Sequence, residues 1–280
     1  MTAPRKIWLI TGVSSGFGRY LADSVIQTGD FVVGTMRKQA QIDEFNRFYA
    51  GRGVALRMDV THPVEIEDGI RRVLKEHGRI DVLVNNAGYG LFGAVEEVST
   101  KEARDQMETN FFGALAATQT VLPAMRRQRS GCIVQISSVA GFRSSPGLGI
   151  YNASKFALEG FSEALAQEVA PLGIRVLIVQ PGPFRTQWAG ASAKTAAKRL
   201  EDYGSTAHAW MEQIKGYSGT QPGDPEKGAK LIIRAVNAEA PPLRLPLGKT
   251  AIDRIREKIR RMEEEMEQWE DASVNTAFEE

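Results

Sequence analysis

KIWLITGVSSGFG, Lys6 to Gly18, runs a short apolar stretch straight into a glycine-rich turn, and RYLADSVIQ follows at once with helical spacing. Glycine has no Cβ, so at Gly12, Gly16 and Gly18 the backbone can turn tightly and approach a bulky anion. An anion held there meets the free N–H groups of a helix N-terminus, the means by which strand-turn-helix units bind pyrophosphate. A GxxxGxG turn also serves as a plain connection, so its meaning depends on the rest of the chain. The same residues, Gly12 to Gly16, spell GxSxG, which on another fold presents a nucleophilic serine. A serine hydrolase needs a histidine base, and the chain has only His62, His77 and His208, the first two in ordinary helical or turn context. Nothing ahead of this first strand would supply an oxyanion loop, so the hydrolase reading is set aside.

Outward from the turn, short apolar runs recur at Ile7–Ile10, Phe31–Val33, Val54–Leu56, Val82–Val84, Ile133–Ile136 and Val176–Val179. Each is bounded by turn residues, as buried strands are. Helical spacing fills the intervals at Tyr20–Thr28, Val64–His77, Ala103–Arg127 and Tyr151–Ala170. Alternating strands and helices predict an α/β fold with a doubly wound parallel sheet. A helix at Pro225–Ala238 and a strand in LRLPL near Leu243 complete it. Residues 183–223 break the rhythm and carry Phe184, Trp188, Trp210, Met211 and Tyr217, which predicts an insertion over the site. A last helix over 250–270 shows an apolar stripe of Ile252, Ile255, Ile259, Met262, Met266 and Trp269 at steps of three and four. The stripe is expected to pack on its own domain, with a subunit-contact helix as the alternative.

The bulk numbers bound the function. At 280 residues and 42% hydrophobic content, with 27 Gly and 12 Pro scattered rather than clustered, one large domain spanning 1–280 is expected. A net charge of +1 gives no field to draw nucleic acid or an anionic membrane. Cys132 is the only cysteine, so no internal disulfide forms, and no CxxC or Cys/His cluster offers a metal site. A reducing cytoplasm fits. The opening MTAPRK runs straight into the first strand, and no apolar stretch approaches the ~20 residues that cross a bilayer.

YNASK places Tyr151 and Lys155 four apart at the start of a helix, on one face. A phenol with a pKa near ~10 is a poor catalyst at neutral pH, but an ammonium roughly 5 Å away is expected to favour the phenolate by about two units. The strand CIVQIS ends near Ser138, at the carboxyl edge where parallel sheets bind ligands. Taken together these residues resemble the short-chain dehydrogenase/reductase family over nearly the whole chain. The matches run in order: TGVSSGFG, NNAG at Asn85–Gly88, TNFFG with Asn110, Ser138, YNASK, and PGPFRT at Pro181–Thr186. NNAGYGLFGAVEE and YNASKFALEGFSEAL are similar to the hydroxysteroid and retinol dehydrogenase branch.

The resemblance implies a single Rossmann-type domain that interconverts a ketone or aldehyde and its alcohol. Tyr151 would be the general acid/base, Ser138 would hold the developing oxyanion, and Lys155 would tune Tyr151 and bind the nicotinamide ribose. Asn110 would position a water linking Lys155 to solvent. Gly12, Ser14, Ser15, Gly16, Phe17 and Gly18 would cradle the cofactor, with Asn86 and Gly88 lining its cleft. Asp59 and Val60 would flank the adenine, and Pro181, Gly182 and Thr186 would lie toward the nicotinamide. The second strand ends at Met36-Arg37-Lys38, where an acidic residue would mark an NAD enzyme. Arg37 instead suits the 2′-phosphate of NADP, so NADP(H) rather than NAD(H) is expected, against the plain alternative of a solvated strand-end arginine. The aromatic insertion suggests a lid on an apolar small-molecule substrate. A cofactor sensor or scaffold of the same fold is the rival; the intact Asn, Ser, Tyr and Lys set argues against it. By analogy the chain forms a homodimer or homotetramer through the helices around Ala103–Arg127 and Tyr151–Ala170.

Overall fold

A computed structural model describes residues 5–190 and 192–278. The expected domain limits at 1 and 280, the first four residues of MTAPRK, and Ala191 within the 183–223 segment lie outside the described residues. Seven strands form one parallel sheet: β1 (Ile7–Ile10), β2 (Phe31–Met36), β3 (Gly53–Arg57), β4 (Val82–Asn85), β6 (Gly131–Ile136), β7 (Ile174–Pro181) and β9 (Arg244–Leu247), in the order β3-β2-β1-β4-β6-β7-β9. Two short strands, β5 (Leu91–Phe92) and β8 (Lys194–Thr195), pair apart from it. The helices are α1 (Gly16–Gln27), α2 (Gln39–Phe48), α3 (Pro63–His77), α4 (Thr100–Met107), α5 (Gly113–Gln128), α6 (Gly149–Val169), α7 (Ala209–Gly216), α8 (Pro225–Asn237) and α9 (Lys249–Val274).

Alternation along β1 explains why the sheet is covered twice. Trp8 and Ile10 face α1, α2 and α8, where Val25, Phe45 and Ile232 meet them. Ile7 and Leu9 face α3, α5 and α6, where Ile70, Val121 and Leu165 wait. Strands buried on both faces read as continuous apolar runs, and helices on both sides shield them from water. β1 pairs with β2 on one edge and β4 on the other. The strand order reverses at that point, leaving a crevice above the carboxyl ends of β1 and β4.

Several expectations change in detail. α2 was not anticipated, because only Ile42 and Phe45 of its residues are buried. The helix expected over Ala103–Arg127 is α4 and α5 joined by a π turn at Glu108–Phe112. The apolar stripe of α9 does not pack back on the domain. Only Ala251 of that helix is buried, and Ile252, Ile259, Met262, Met266 and Trp269 are exposed, Trp269 by 68%.

Residues 183–223 form an irregular cover with a closed stem, where Arg185 N–H donates to Gly223 O at 2.9 Å and Gly223 N–H to Pro183 O at 3.1 Å. The cover is fastened to the stretch after β4 at two places. β8 pairs with β5, and Glu97 accepts from Leu200 N–H at 2.7 Å while sitting 2.7 Å from His208 Nε2, both side chains buried.

Candidate active site

The turn after β1 takes its shape from two glycines in the left-handed region, Gly12 at φ +72° and Gly16 at φ +58°. Gly12 and Val13 N–H both donate to Thr35 O at 3.1 Å, tying the turn to β2. Thr11 Oγ1 accepts from the N–H groups of Asn86 and Ala87 at 2.9 and 3.0 Å. In return Asn86 Nδ2 donates to the carbonyls of Thr11 and Gly12 at 2.8 and 3.0 Å. These bonds fasten the turns after β1 and β4 into one rim. A Cβ on Gly18 would lie 2.4 Å from Asn86 Nδ2 and from Gly12 O, so only glycine lets α1 start this close. No side chain caps the N-terminus of α1, and its first amides are left for an anion.

A cavity of about 560 Å³ runs from this turn to Tyr151. Its wall holds sixteen of the eighteen expected site residues: Gly12, Ser14, Ser15, Gly16, Phe17, Arg37, Asp59, Val60, Asn86, Gly88, Ser138, Tyr151, Lys155, Pro181, Gly182 and Thr186. Gly18 and Asn110 stand behind it. The π turn rotates Asn110 inward, where it is buried and Nδ2 donates to Tyr89 O at 3.0 Å and Ser154 Oγ at 3.1 Å. Its Oδ1 accepts from Tyr89 N–H at 3.1 Å. Asn110 thus braces the wall, and its amide hydrogens are spent on that task. π turns of this kind gather at functional sites. None of the three histidines lines the cavity that Ser14 faces, so that serine has no base.

Ser138 caps a short 3₁₀ turn, its Oγ accepting from Ala140 N–H at 3.1 Å. Its hydroxyl also faces the Tyr151 oxygen, so an oxygen placed between the two could take its hydrogen. Tyr151 is 4% exposed, with the Ser138 hydroxyl and the Trp188 ring beside it. Lys155, 6% exposed, donates to Ile136 O at 2.8 Å and lies 6.0 Å from the centre of the Tyr151 ring. Here the structure corrects the sequence expectation. Burial pushes the Tyr151 phenol up to about 12, against the opposing pull of Ser138 and Trp188. Burial also drives Lys155 down to about 8, with the Glu159 carboxylate pulling the other way. For both groups the loss of water is the largest influence. Glu159 itself is raised by burial, offset by bonds from Gln180 at 3.1 Å and Arg244 at 3.1 Å. Sequence reasoning missed Glu159, although its place four residues after Lys155 on one helix face was the available signal.

At the far edge, Arg37 follows β2 and is 77% exposed, 3.8 Å from Asp59. Burial tends to raise the Asp59 carboxyl, but bonds from Thr61 and the charge of Arg37 lower it on balance. The walls therefore fit a dinucleotide: a glycine turn and bare helix end for the pyrophosphate, and a cation beyond for the adenosine side. Phe184, Trp188, Trp210 and Tyr217 of the cover line the opposite wall, while Met211 is buried behind it.

A seven-stranded parallel sheet with helices on both faces and this rim defines an α/β protein of the Rossmann type. Residues 6–197 match the short chain dehydrogenase family, and the chain belongs to that family, as an oxidoreductase. It is 36% identical over 273 residues to oxidoreductase BOA17 of Botryotinia fuckeliana, covering 97% of this chain and 99% of that one. It is 39% identical over 246 residues to a 3-ketodihydrosphingosine reductase of Bacteroides thetaiotaomicron, covering 87% and 88%. The solved structure of a short-chain dehydrogenase from Streptomyces avermitilis is 41% identical, with a TM-score of 0.93 over 99% of this chain and 100% of that one. Two more distant structures share the fold. One from Burkholderia phymatum was solved in complex with NAD, at 23% identity, TM-score 0.81 and 94% and 96% coverage. A serine dehydrogenase complexed with NADP+ shows 25% identity, TM-score 0.74 and 86% and 94% coverage. Among the described residues no helix is long and apolar enough to cross a membrane.

Proposed function

We propose that this chain is an NADP(H)-dependent oxidoreductase interconverting an apolar ketone or aldehyde and its alcohol. The observation that carries the reading is the convergence of Tyr151, Ser138 and Lys155 on one cavity whose other end is the glycine turn. A nicotinamide dinucleotide bound along Gly12–Gly18, Asn86, Gly88 and Pro181–Thr186 supplies or accepts the hydride. Ser138 donates its hydroxyl hydrogen to the substrate oxygen and so stabilises charge developing there. Tyr151, held protonated by burial, then gives that oxygen its proton. Lys155, charged below about 8, steadies the phenolate left behind. A Cβ at residue 88 would press on Asn110 Oδ1 at 3.1 Å, so glycine there keeps the wall beside Lys155 in place.

Arg37 supports NADP(H) over NAD(H), since no carboxylate ends β2 and the exposed guanidinium is free to turn onto a 2′-phosphate. The cover acts as a substrate lid whose aromatic residues favour apolar compounds. Exposed Phe112 and Phe156 on the faces around α5 and α6 accord with assembly into dimers or tetramers there, and a single buried cysteine accords with the cytoplasm. NADPH consumption across steroids, retinoids, aryl ketones and short ketoesters tests the reading, with Tyr151→Phe as the blank. Consumption that survives in Tyr151→Phe, or a preference for small polar ketones, overturns it.

A further inference from the structure

The cover end of the cavity is asymmetric in charge. Its wall includes Arg254 and Lys194, while among the described residues the only carboxylate in the lining is Asp59, beside Arg37 at the other end. Arg254 comes from the opening turns of α9 and makes no hydrogen bond or ion pair with any described residue. Its guanidinium lies 5.3 Å from the centre of the Trp210 ring. Asp253, next to Arg254 in sequence, pairs with Lys249, and Glu257, three residues on, is 3.7 Å from Arg143. Burial and the neighbouring Arg143 charge both lower the Arg254 pKa, against weaker pulls from Tyr217 and Glu257. The Nε1 on that same Trp210 ring is buried without an acceptor among the described residues. Lys194 likewise rests on an aromatic ring, 4.3 Å from the centre of Tyr89. A half-buried cation with no counter-ion, next to an unmet N–H donor, is a poor arrangement unless a ligand completes it.

We propose that the substrate carries a carboxylate at the end remote from the reacting carbonyl, and that Arg254 binds it, with Trp210 Nε1 as a second donor. The substrate class is then an oxo acid or hydroxy acid with an apolar body, the body lying against Trp188 and Tyr217. The guanidinium fork suits a planar carboxylate in two parallel bonds. This assignment rests on the oxidoreductase reading above.

The test pairs keto acids of graded chain length with their methyl esters. With the holoenzyme, at least one acid is expected to show kcat/KM about tenfold to a hundredfold above its ester, mostly through KM. In Arg254→Met the acid-to-ester ratio falls to about one, and Arg254→Lys restores part of it. Equal turnover of acids and esters by the unmodified enzyme, or a ratio that survives Arg254→Met, overturns the proposal. Quenching of tryptophan fluorescence by the same acids reports binding without turnover. Binding that depends on Arg254 with no NADPH consumption would sink the oxidoreductase reading alone.

The opposite side of α9 carries an independent inference. Its 26 residues span about 39 Å, and beyond Arg260 every described residue of the helix is exposed. Charge is divided along it: Lys249–Arg261 holds six basic and two acidic residues, and 262–274 holds six acidic and none basic. With Ile252, Ile259 and Met266 at a positions and Ile255, Met262 and Trp269 at d positions, Arg256 and Glu263 fall at e, and Lys258 and Glu265 at g. An antiparallel partner of identical sequence sets Ile259 against Met262 and Ile252 against Trp269. The same register sets Arg256 beside Glu263 and Lys258 beside Glu265, each twice by symmetry. Parallel pairing would oppose Glu265 and Glu270. The geometry points to a second copy of this chain as the occupant of the stripe, its α9 running antiparallel in an isologous pair.

Disulfide trapping in the full chain decides this. Ile259→Cys combined with Met262→Cys is expected to yield a covalent dimer on oxidation, while Met266→Cys alone yields none. Adding Arg256→Glu and Lys258→Glu abolishes the trapped dimer, and further adding Glu263→Lys and Glu265→Lys restores it. Trapping through Met266→Cys, or no trapping by the Ile259→Cys, Met262→Cys pair, overturns the proposal.

Discussion

Lys155 Nζ lies 6.0 Å from the centre of the Tyr151 ring, held off by the Ile136 carbonyl 2.8 Å away. The phenol stays protonated through the neutral range because burial pushes it to about 12, while the ammonium is lost above about 8. Carbonyl reduction needs both protons in place. Its kcat/KM is therefore expected to be level below pH 8 and to fall as the pH passes about 8. Lys155→Arg, which cannot lose its charge, should lower the rate and remove that limb. A profile level well into the alkaline range would count against the assignment, and Tyr151→Phe should cost about 100-fold to 10,000-fold.

Arg37 and Asp59 form a long, exposed contact, and pairs of this kind add ~0–1 kcal/mol at most. Arg37→Ala should leave Tm unchanged while raising KM for NADPH about tenfold to a hundredfold, with NADH unaffected. Steady-state kinetics with both cofactors checks this; a preference for NADH that Arg37→Ala leaves alone refutes the NADP(H) reading.

Gly18→Ala places a methyl group 2.4 Å from Asn86 Nδ2 and the Gly12 carbonyl. Backbone on one side cannot yield, so α1 must move, at a cost of ~1–3 kcal/mol. Tm should drop by several degrees and dinucleotide affinity should fall with it, measured by thermal unfolding and by titration.

Asn110→Ala removes three hydrogen bonds and strands Tyr89 and Ser154 without their partner. The expected loss is ~1–3 kcal/mol, and kcat should fall because Ser154 lies next to Lys155 on α6. Unfolding by urea gives the first quantity and single-turnover kinetics the second.

Most of the sheet was legible in the sequence, for a physical reason. β1, β4 and β6 are buried on both faces, so they read as apolar runs, with Asn85 ending β4 and only Gln135 interrupting β6. α2 was not legible, because two anchors, Ile42 and Phe45, leave too weak a stripe. Nothing in ETNFF marks a π turn, which follows from packing of Asn110 against Tyr89 and Ser154 rather than from local propensity. The residues that ring the cavity were readable from their order along the chain. Their proton affinities were not: spacing fixes a Coulombic attraction between Tyr151 and Lys155, whereas the larger effect, the removal of water, exists only after folding. The stripe on α9 was readable as a helix face, but a heptad repeat looks the same whether its partner lies within the chain or outside it.

The fastenings of residues 183–223 limit how a large molecule gets in. Closed at its stem by Arg185 and Gly223, and stitched to the stretch after β4 through β5–β8 and through Glu97, this segment cannot swing as a free flap. Passage has to come from small, concerted breathing of both walls, and because the stitched stretch begins at Asn86 and Gly88 beside the glycine turn, the doorway and that turn share one support.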